Sequence, residues 1–256
     1  MKAVLLIGGL GTRLRSAVPS SPKALASVGG RPFLELLLRQ LGAQGIRQLV
    51  MCTGYLAEQI EEVFGDGSDL GMTIQYSQEP VPLGTAGALK FAQRYLRHES
   101  EFLVLNGDSF LEVDFNELVE SHRKRDGLVT MAVVPVDNAS RYGTVRLGAD
   151  SRLLGFEEKA EQIAPGIINA GVYVLSNAVL PEISEGPASL ERDIFPRLLG
   201  QGIFAVEQRG VFIDIGIPED YARAGEMSDR LHSAALSKCC SVTCTDISQP
   251  QGSKDT

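Results

Sequence analysis

The residues best suited to chemistry stand at the start of the chain. Residues 8–23 read GGLGTRLRSAVPSSPK and directly follow an apolar run at residues 3–7. Glycines let backbone N–H groups approach a phosphate closely, and two fixed cations, Arg13 and Lys23, can neutralise a polyphosphate. This pattern predicts a binding site for a nucleoside triphosphate.

Two better-known glycine-rich motifs do not match. The dinucleotide-binding fingerprint needs a third glycine, where this chain has Leu14, and an acid near the end of the second strand, where residues 51–54 read MCTG. A P-loop needs Gly-Lys followed by Ser or Thr, and no such sequence follows the turn. Both a nicotinamide dinucleotide site and a P-loop are therefore disfavoured.

Two further segments carry groups suited to nucleotide chemistry. Asp108 follows the strand predicted at residues 102–106, and an acid at a strand end that faces phosphates is a natural ligand for Mg²⁺. Residues 79–87 read EPVPLGTAG, a stiff loop that enters a helix with small residues at its start. Such a loop would let a flat base lie against the backbone.

Composition excludes several classes of protein. The chain has 256 residues, of which 44% are hydrophobic and 22% charged, enough for one large α/β domain. Its formal net charge of −8 argues against a nucleic-acid partner. No apolar run approaches the roughly 18 residues that span a membrane, and residues 1–7 do not form a signal peptide. We expect a cytoplasmic protein with no membrane partner.

The four cysteines agree with that location. Cys52 lies in an apolar strand pattern and is expected to be a small core residue. Cys239, Cys240 and Cys244 lack the paired spacing of a zinc site. We therefore expect reduced thiols.

Apolar runs alternate with helical stretches through the first half of the chain. Strands are predicted at residues 3–7, 48–53, 72–76, 102–106 and 128–134. A first helix is predicted with Pro32 near its start and Gly45 past its end, and further helices at 56–64, 86–96 and 115–124. This alternation predicts an α/β fold with a Rossmann-like, mainly parallel sheet flanked by helices. Ligands in such sheets lie beyond the carboxyl ends of the strands, where the glycine turn and Asp108 both fall.

The rhythm changes after about residue 136. Short strands are predicted at 143–147, 153–157, 168–175 and 203–208, a helix at 187–199 with Ser189 as its N-cap, and a last helix at 218–231. We expect one domain over residues 1–232, in which a mixed-sheet extension (136–232) covers one side of a core (1–135). Residues 233–256 are small and polar and are expected to form a flexible tail.

Taken together, GGxGTRL, the Pro-Lys pair and the loop LGTAG resemble the signature of the sugar-1-phosphate nucleotidyltransferases, also called NDP-sugar pyrophosphorylases. The resemblance covers residues 1–232 and implies the GT-A-like fold of nucleotide-diphospho-sugar transferases. It implies a glycine turn that wraps the triphosphate and cations that meet its phosphates. The implied nucleotide-binding residues are Leu6, Gly8, Gly9, Gly11, Thr12, Arg13, Lys23, Glu79, Gly84, Thr85 and Asp108.

The same resemblance implies a metal site and a base contact. Asp108 and Asp214 would hold Mg²⁺, and Glu79 would contact the edge of the base. A carboxylate matches the two parallel donors of guanine, which favours GTP, although uridylyl-transferring relatives can also carry Glu at this position.

Sugar recognition is implied for the second half of the chain, where the segments YGT, EEK and NAG match the family. The implied sugar-phosphate residues are Gly107, Tyr142, Gly143, Glu158, Lys159, Asn169 and Asp214, and the implied catalytic residues are Arg13, Lys23, Asp108 and Lys159. The expected partners are GTP and a sugar 1-phosphate, with a heptose phosphate first, mannose 1-phosphate second, and uridylyl or thymidylyl transfer third. A homo-oligomer remains open.

A protein of another class could share this fold, namely a catalytically silent subunit that senses nucleotide sugars. That alternative predicts loss of the charged site residues. Arg13, Lys23, Asp108 and Asp214 are all present, which favours an enzyme.

Overall fold

The architecture comes from a computed structural model that describes residues 1–157 and 164–237. Thirteen strands and six α-helices lie in these ranges. The strands are β1 Lys2–Leu6, β2 Ser27–Val28, β3 Arg31–Pro32, β4 Gln48–Thr53, β5 Thr73–Gln78, β6 Glu101–Asn106, β7 Ser109–Leu111, β8 Val129–Val136, β9 Thr144–Leu147, β10 Leu153–Glu157, β11 Gly166–Ser176, β12 Ile203–Glu207 and β13 Phe212–Asp214. The helices are α1 Phe33–Ala43, α2 Ala57–Phe64, α3 Gly84–Phe91, α4 Phe115–Arg125, α5 Pro218–Glu226 and α6 Ser228–Leu236.

A nine-stranded mixed sheet forms the centre of the fold. Seven of its strands lie in the order β10-β9-β11-β6-β1-β4-β5, and β8 pairs with both β11 and β12. Strands β6, β1, β4 and β5 are parallel, whereas β11 runs antiparallel to β6 and β8. The predicted Rossmann-like, mainly parallel sheet flanked by helices is confirmed, and β11 joins both halves of the chain in one domain.

The core consists of two apolar clusters of buried side chains. One contains α1, whose side chains Phe33, Leu34 and Leu37 are at most 1% exposed. The other contains Val4, Val50 and Cys52 with the residues that face them from α3 and β11. Cys52 is a buried free thiol as predicted, and burial raises its pKa well above the ordinary range. Among the helices of the described ranges, none combines the length and the apolar character needed to cross a membrane.

Three predicted helices differ from the structure. The helix predicted at 86–96 begins at Gly84 and tightens into a 3₁₀ turn at Ala92–Tyr95. The helix predicted at 187–199 is a π-helical turn at Leu190–Ile194 followed by a 3₁₀ turn at Phe195–Leu198. Pro196 lies in this segment, and a proline without an N–H interrupts a regular helix. The Ser189 N-cap is confirmed, since its hydroxyl accepts the N–H of Arg192.

The last predicted helix needs the larger correction. The segment predicted at 218–231 divides at Met227 into α5 and α6, and α6 continues to Leu236. Ala234 and Ala235 are buried in the core, so packing continues the fold beyond the boundary placed at residue 232. The other tail residues, 238–256, lie outside the described residues, including Cys239, Cys240 and Cys244.

Candidate active site

The glycine-rich turn leaves the carboxyl end of β1 and leads into a 3₁₀ turn at Thr12–Leu14. Gly11 precedes that turn with φ of 59°, a left-handed conformation that glycine adopts without strain. Among the described residues, nothing accepts a hydrogen bond from the backbone N–H groups of residues 9–13. A row of unpaired donors at a strand end is suited to binding phosphate oxygens.

Lys23 brings a positive charge to the same place. Its Nζ lies 2.8 Å from Oδ2 of Asp108, and its side chain is only 11% exposed. Because Asp108 follows β6, which is the parallel neighbour of β1, the strand ends bring together residues 85 positions apart in the sequence. Arg13, in the 3₁₀ turn, is exposed and lines the same cavity.

Asp214 lies beside this ion pair because β13 pairs with β7. The pair aligns Asp214 with Ser109, and the backbone N–H of Ile215 donates to the carbonyl of Asp108 at 2.9 Å. Oδ1 of Asp214 accepts the N–H of Gly216. Burial and the nearby charge of Asp108 raise the pKa of the Asp214 carboxyl, and Lys23 partly opposes that shift. Two carboxylates therefore share one small region with one ammonium group.

Lys23 and Asp108 line a cavity of about 330 Å³, and Gly216, whose N–H bonds to Asp214, lines it too. Its walls carry most of the predicted phosphate-binding residues, Gly8 excepted, together with Gly107, which was predicted for the sugar phosphate. The lining residues are Leu6, Ile7, Gly9, Leu10, Gly11, Thr12, Arg13, Lys23, Ala24, Gly107, Asp108 and Gly216.

A second cavity, of about 270 Å³, shares Leu6, Gly9 and Asp108 with the first. It contains the remaining residues predicted to bind the nucleotide. Its lining residues are Leu6, Gly8, Gly9, Glu79, Pro82, Leu83, Gly84, Thr85, Ala88, Asn106 and Asp108. All residues predicted for the nucleotide thus line one of two contiguous cavities at the carboxyl edge of the sheet.

Glu79 stands on the loop between β5 and α3. One of its oxygens, Oε2, accepts the backbone N–H of Leu83 at 2.8 Å, which shapes the loop. Burial raises the pKa of the Glu79 carboxyl, and the Leu83 bond opposes this only in part. Its other oxygen lies against the backbone of Gly8, where an added Cβ would approach it to 2.6 Å. The carboxylate is therefore fixed at the wall of the second cavity.

Thr85 lines this cavity, but its hydroxyl is engaged within the protein. It donates to Oε2 of Glu191 at 2.9 Å and accepts the N–H of Leu190 at 2.8 Å. A nucleotide at this position would meet the backbone and the methyl group of Thr85 rather than a free hydroxyl.

Tyr142, Gly143 and Asn169, predicted for the sugar, are not among the residues that line either of these two cavities. Asn169 stands at an irregularity of β11, where the register with β8 shifts between Asn169 and Tyr173. Tyr142 is half-buried and packs edge-on against Phe212 at 6.0 Å, and Gly143 leads from it into β9. Burial and the charges of Asp220 and Asp214 raise the pKa of Tyr142, and Arg141 and Arg223 oppose this in part.

Two of the predicted residues, Glu158 and Lys159, lie outside the described residues. The sequence reasoning did not single out Asn106, Tyr173 or Glu191. Asn106 lines the second cavity, and its Oδ1 is buried without a hydrogen-bond partner in the described ranges. Glu191 lies in the first turn of the segment predicted as a helix at 187–199, and no local signal reveals its contact with Thr85, 106 positions away.

The donor set at Asp108 and Asp214 is suited to a hard cation. Carboxylate oxygens are ligands that Mg²⁺ and Ca²⁺ accept, and Mg²⁺ keeps several waters or phosphate oxygens instead of a full protein cage. No group of three His, Cys, Asp or Glu side chains within residues 1–157 and 164–237 is placed to hold a metal. Asp108 and Asp214 would supply part of a coordination sphere whose other ligands would be water or phosphate oxygens.

Comparison with known proteins places this geometry in one class. The model of the nucleotidyl transferase family matches residues 2–229, and the chain belongs to that family. Nucleotidyltransferases of this family generally use a divalent metal ion.

Individual relatives narrow the comparison. The chain is 39% identical over 226 residues to D-glycero-α-D-manno-heptose 1-phosphate guanylyltransferase of Aneurinibacillus thermoaerophilus, covering 88% of this chain and 96% of the relative. It is 38% identical over 225 residues to mannose-1-phosphate guanylyltransferase of Mycobacterium tuberculosis, covering 86% of this chain but only 62% of that protein. The crystal structure of HddC from Yersinia pseudotuberculosis, complexed with GMP-PN, superimposes with a TM-score of 0.79 at 35% identity, covering 88% and 98% of the two chains.

Proposed function

We propose that this chain transfers GMP from GTP to a sugar 1-phosphate and releases pyrophosphate. D-glycero-α-D-manno-heptose 1-phosphate is the first sugar substrate to test. The proposal for GTP and a heptose rests on the 39% identity to a guanylyltransferase for that sugar phosphate and on coverage of 96% of its length. Mannose 1-phosphate is the second candidate, because the chain is 38% identical to a mannose-1-phosphate guanylyltransferase.

One structural observation carries the proposal. Lys23, Asp108 and the unpaired N–H groups of residues 9–13 line one cavity, which continues into the cavity that holds Glu79. A nucleoside triphosphate needs this sequence of environments, with donors and charge for its phosphates and a flat wall with an acceptor for its base. We assign the first cavity to the phosphates and the second to the base.

The proposed reaction is attack of a sugar-phosphate oxygen on the α-phosphorus of GTP. A new P–O bond forms to the sugar phosphate, and the bond between the α-phosphorus and the bridging oxygen breaks, so that pyrophosphate leaves with that electron pair. A phosphate monoester has a second pKa of about 6 and is mostly dianionic at neutral pH. The nucleophile therefore needs no general base, and the barrier is repulsion between two anions together with their orientation.

The residues of the chain would lower this barrier by fixed positive charge. We propose that Arg13 and Lys23 stabilise the departing pyrophosphate, while the N–H groups of the glycine turn orient the triphosphate. The family resemblance adds Lys159 for the incoming phosphate. Such preorganised charge needs no rearrangement during the reaction, which is the reason it accelerates reactions between anions.

We propose Mg²⁺ as the divalent ion, held by Asp108 and Asp214. When bound, it would neutralise phosphate charge at the reacting centre. Without the ion, the Asp214 carboxyl has a raised pKa because it is buried beside Asp108. A divalent cation bound by both carboxylates would oppose that shift.

Base selection is proposed to rest on Glu79. Guanine offers a ring N–H and an exocyclic amino group side by side, which is a better match for a carboxylate than the single ring N–H of uracil or thymine. The contact of Glu79 Oε2 with Leu83 holds the carboxylate at the cavity wall. Each carboxylate oxygen has a second lone pair, so Oε2 can accept a base donor beside the Leu83 N–H, and we assign both oxygens to the base edge. Uridylyl or thymidylyl transfer remains the alternative.

The sugar is proposed to bind between Tyr142, Gly143 and Asn169, with Gly107 and Asp214 near its phosphate. The family resemblance adds Glu158 for the sugar hydroxyls.

The cytoplasmic location expected from the sequence belongs to the same proposal, and the buried thiol of Cys52 is compatible with a reducing compartment.

The test is pyrophosphate release across a grid of nucleotides and sugar phosphates. GTP, UTP, dTTP and ATP are each combined with the heptose, mannose and glucose 1-phosphates in the presence of Mg²⁺. The proposal expects the highest kcat/KM for GTP with the heptose 1-phosphate. A preference for mannose 1-phosphate would correct the sugar only, whereas silence across the grid would favour the nucleotide-sugar sensor over an enzyme.

A further inference from the structure

The side-chain amide of Asn169 is held by two contacts inside the protein. Its Oδ1 accepts the backbone N–H of Gly171 at 3.0 Å. Its Nδ2 donates to the hydroxyl oxygen of Tyr173 at 2.7 Å. An amide has two N–H donors and two carbonyl lone pairs. These contacts therefore leave one N–H and one lone pair of Asn169 for a substrate.

The contact with Tyr173 depends on a more distant carboxylate. A tyrosine hydroxyl can donate or accept, so Tyr173 alone would not decide how it meets the Asn169 amide. The Tyr173 hydroxyl donates to Oε1 of Glu191 at 3.1 Å. A carboxylate only accepts, so the hydroxyl proton points to Glu191 and its lone pair faces Asn169. The ring of Tyr173 is fully buried, so water cannot replace either partner.

Glu191 is also tied to the nucleotide side of the site. Its Oε2 accepts the hydroxyls of Thr85 and Ser189, each at 2.9 Å. Thr85 is the second residue of α3 and lines the cavity assigned to the base. One carboxylate therefore accepts hydrogen bonds from the base loop on one side and from the residue that orients Asn169 on the other.

We propose that Tyr173 and Glu191 are positioning residues for the sugar substrate. Glu191 fixes the hydroxyl of Tyr173, and Tyr173 fixes the amide of Asn169, so that Asn169 presents one donor and one acceptor to sugar hydroxyls in a single geometry. This inference rests on the proposed function, which places Asn169 at the sugar. Through Thr85, Glu191 also couples that geometry to the loop that receives the base.

A purely structural role for these residues predicts something different. If the hydrogen bonds only stabilise the fold, removing one would lower the melting temperature and affect both substrates alike. If they orient Asn169, the effect should appear in the KM of the sugar phosphate and should vanish once the Asn169 amide is gone. A double-mutant cycle separates the two cases.

The central variant is Tyr173→Phe, which keeps the buried ring and removes the hydroxyl. We expect the KM of the sugar 1-phosphate to rise about tenfold, on the scale of one oriented hydrogen bond, and the KM of GTP to stay within about twofold. Ser189→Ala is the matched control, because it removes another hydroxyl from the same carboxylate on the side away from Asn169. Both KM values of that control should stay within about twofold, although it loses a helix cap.

The cycle is completed in an Asn169→Ala background. There Tyr173→Phe should cause no further rise in the KM of the sugar phosphate. Glu191 contacts both Thr85 and Tyr173, so Glu191→Gln in the otherwise wild-type protein should raise the KM of GTP and the KM of the sugar phosphate. In the Asn169→Ala background, Glu191→Gln should raise only the KM of GTP. A Tyr173→Phe effect that persists without the Asn169 amide, or that raises both KM values equally, would overturn the proposal.

A spectroscopic measurement keeps the proposal testable if a variant does not fold. In ¹⁵N–¹H spectra of the unsubstituted protein, one amide proton of Asn169 should be shifted downfield and exchange slowly, because it is bonded to a buried hydroxyl. If both amide protons of Asn169 exchanged rapidly and were unshifted, the proposed positioning of Asn169 by Tyr173 would be wrong. This measurement does not depend on activity. It therefore distinguishes a failure of the Glu191–Tyr173–Asn169 contacts from a failure of the proposed function, in which the wild-type protein would be inactive on every substrate of the grid.

Discussion

Replacing Lys23 by methionine removes the charge that the structure places most firmly in the phosphate cavity. The ammonium lies 2.8 Å from Asp108, and the lysine side chain is 11% exposed, so water can compensate little for the loss of its charge. Loss of one preorganised charge contact costs about 10²–10³-fold in turnover, or about 2.7–4 kcal/mol of barrier. We therefore expect kcat of Lys23→Met to fall by two orders of magnitude or more, about 100-fold at least.

The same substitution should cost little stability. Asp108 loses its partner, but its side chain is 42% exposed, so water can solvate the carboxylate that remains. Lys2→Met is the matched control, since Lys2 also donates to a single oxygen, the carbonyl of Tyr95 at 2.6 Å, but at the amino end of β1, away from the site. Its kcat should stay within about twofold of wild type.

The assay is steady-state pyrophosphate release at saturating GTP and sugar phosphate, with folding of both variants checked by circular dichroism. Near-normal kcat in folded Lys23→Met protein would remove Lys23 from the mechanism. An equal loss in Lys2→Met would mean that the assay reports damage to the fold rather than to the site.

Three further predictions follow from the same geometry. Asp214→Asn should raise the melting temperature at neutral pH and abolish turnover, because burial and the charge of Asp108 raise the Asp214 pKa and so make its ionised form less favourable in the folded than in the unfolded chain. The difference in melting temperature between Asp214→Asn and wild type should shrink as the pH falls below the ordinary aspartate pKa, because Asp214 is then protonated in both the folded and the unfolded chain. A melting temperature of Asp214→Asn below that of wild type at pH 7 would contradict this prediction. Glu79→Gln should reduce the preference for GTP over UTP by about 10-fold or more in kcat/KM, and an unchanged ratio would remove Glu79 from base selection. Gly8→Ala should raise the KM of GTP, because its Cβ would approach the Glu79 carboxylate to 2.6 Å, whereas Gly225→Ala, which meets nothing within 4 Å, should leave the KM unchanged.

Local patterns predicted the elements that carry strong periodicity. The strand at Gln48–Thr53 was predicted to the residue because an apolar run between polar ends specifies a buried parallel strand. The helix predicted at 115–124 agrees within one residue with α4, where Asp114 caps the first N–H groups. The glycine turn could also be recognised from the sequence, because its phosphate-binding residues lie in one continuous segment.

Features that depend on distant contacts could not be predicted in this way. The pairing of β7 with β13, which sets Asp214 beside Asp108, joins segments about a hundred residues apart and leaves no periodic signal. The end of α6 at Leu236 is decided by the burial of Ala234 and Ala235, residues whose small size alone indicated a tail. Glu191 resembles an ordinary acid in a first helical turn until its three hydroxyl partners are seen in space.

Calorimetric titration of the protein with GTP tests the central claim most directly, namely that backbone donors, Lys23 and a cation held by two carboxylates form one triphosphate site. The account predicts binding of one GTP per chain in the presence of Mg²⁺, and much weaker binding when the divalent ion is removed with a chelator. Absence of binding by any nucleoside triphosphate in the presence of Mg²⁺ would contradict it.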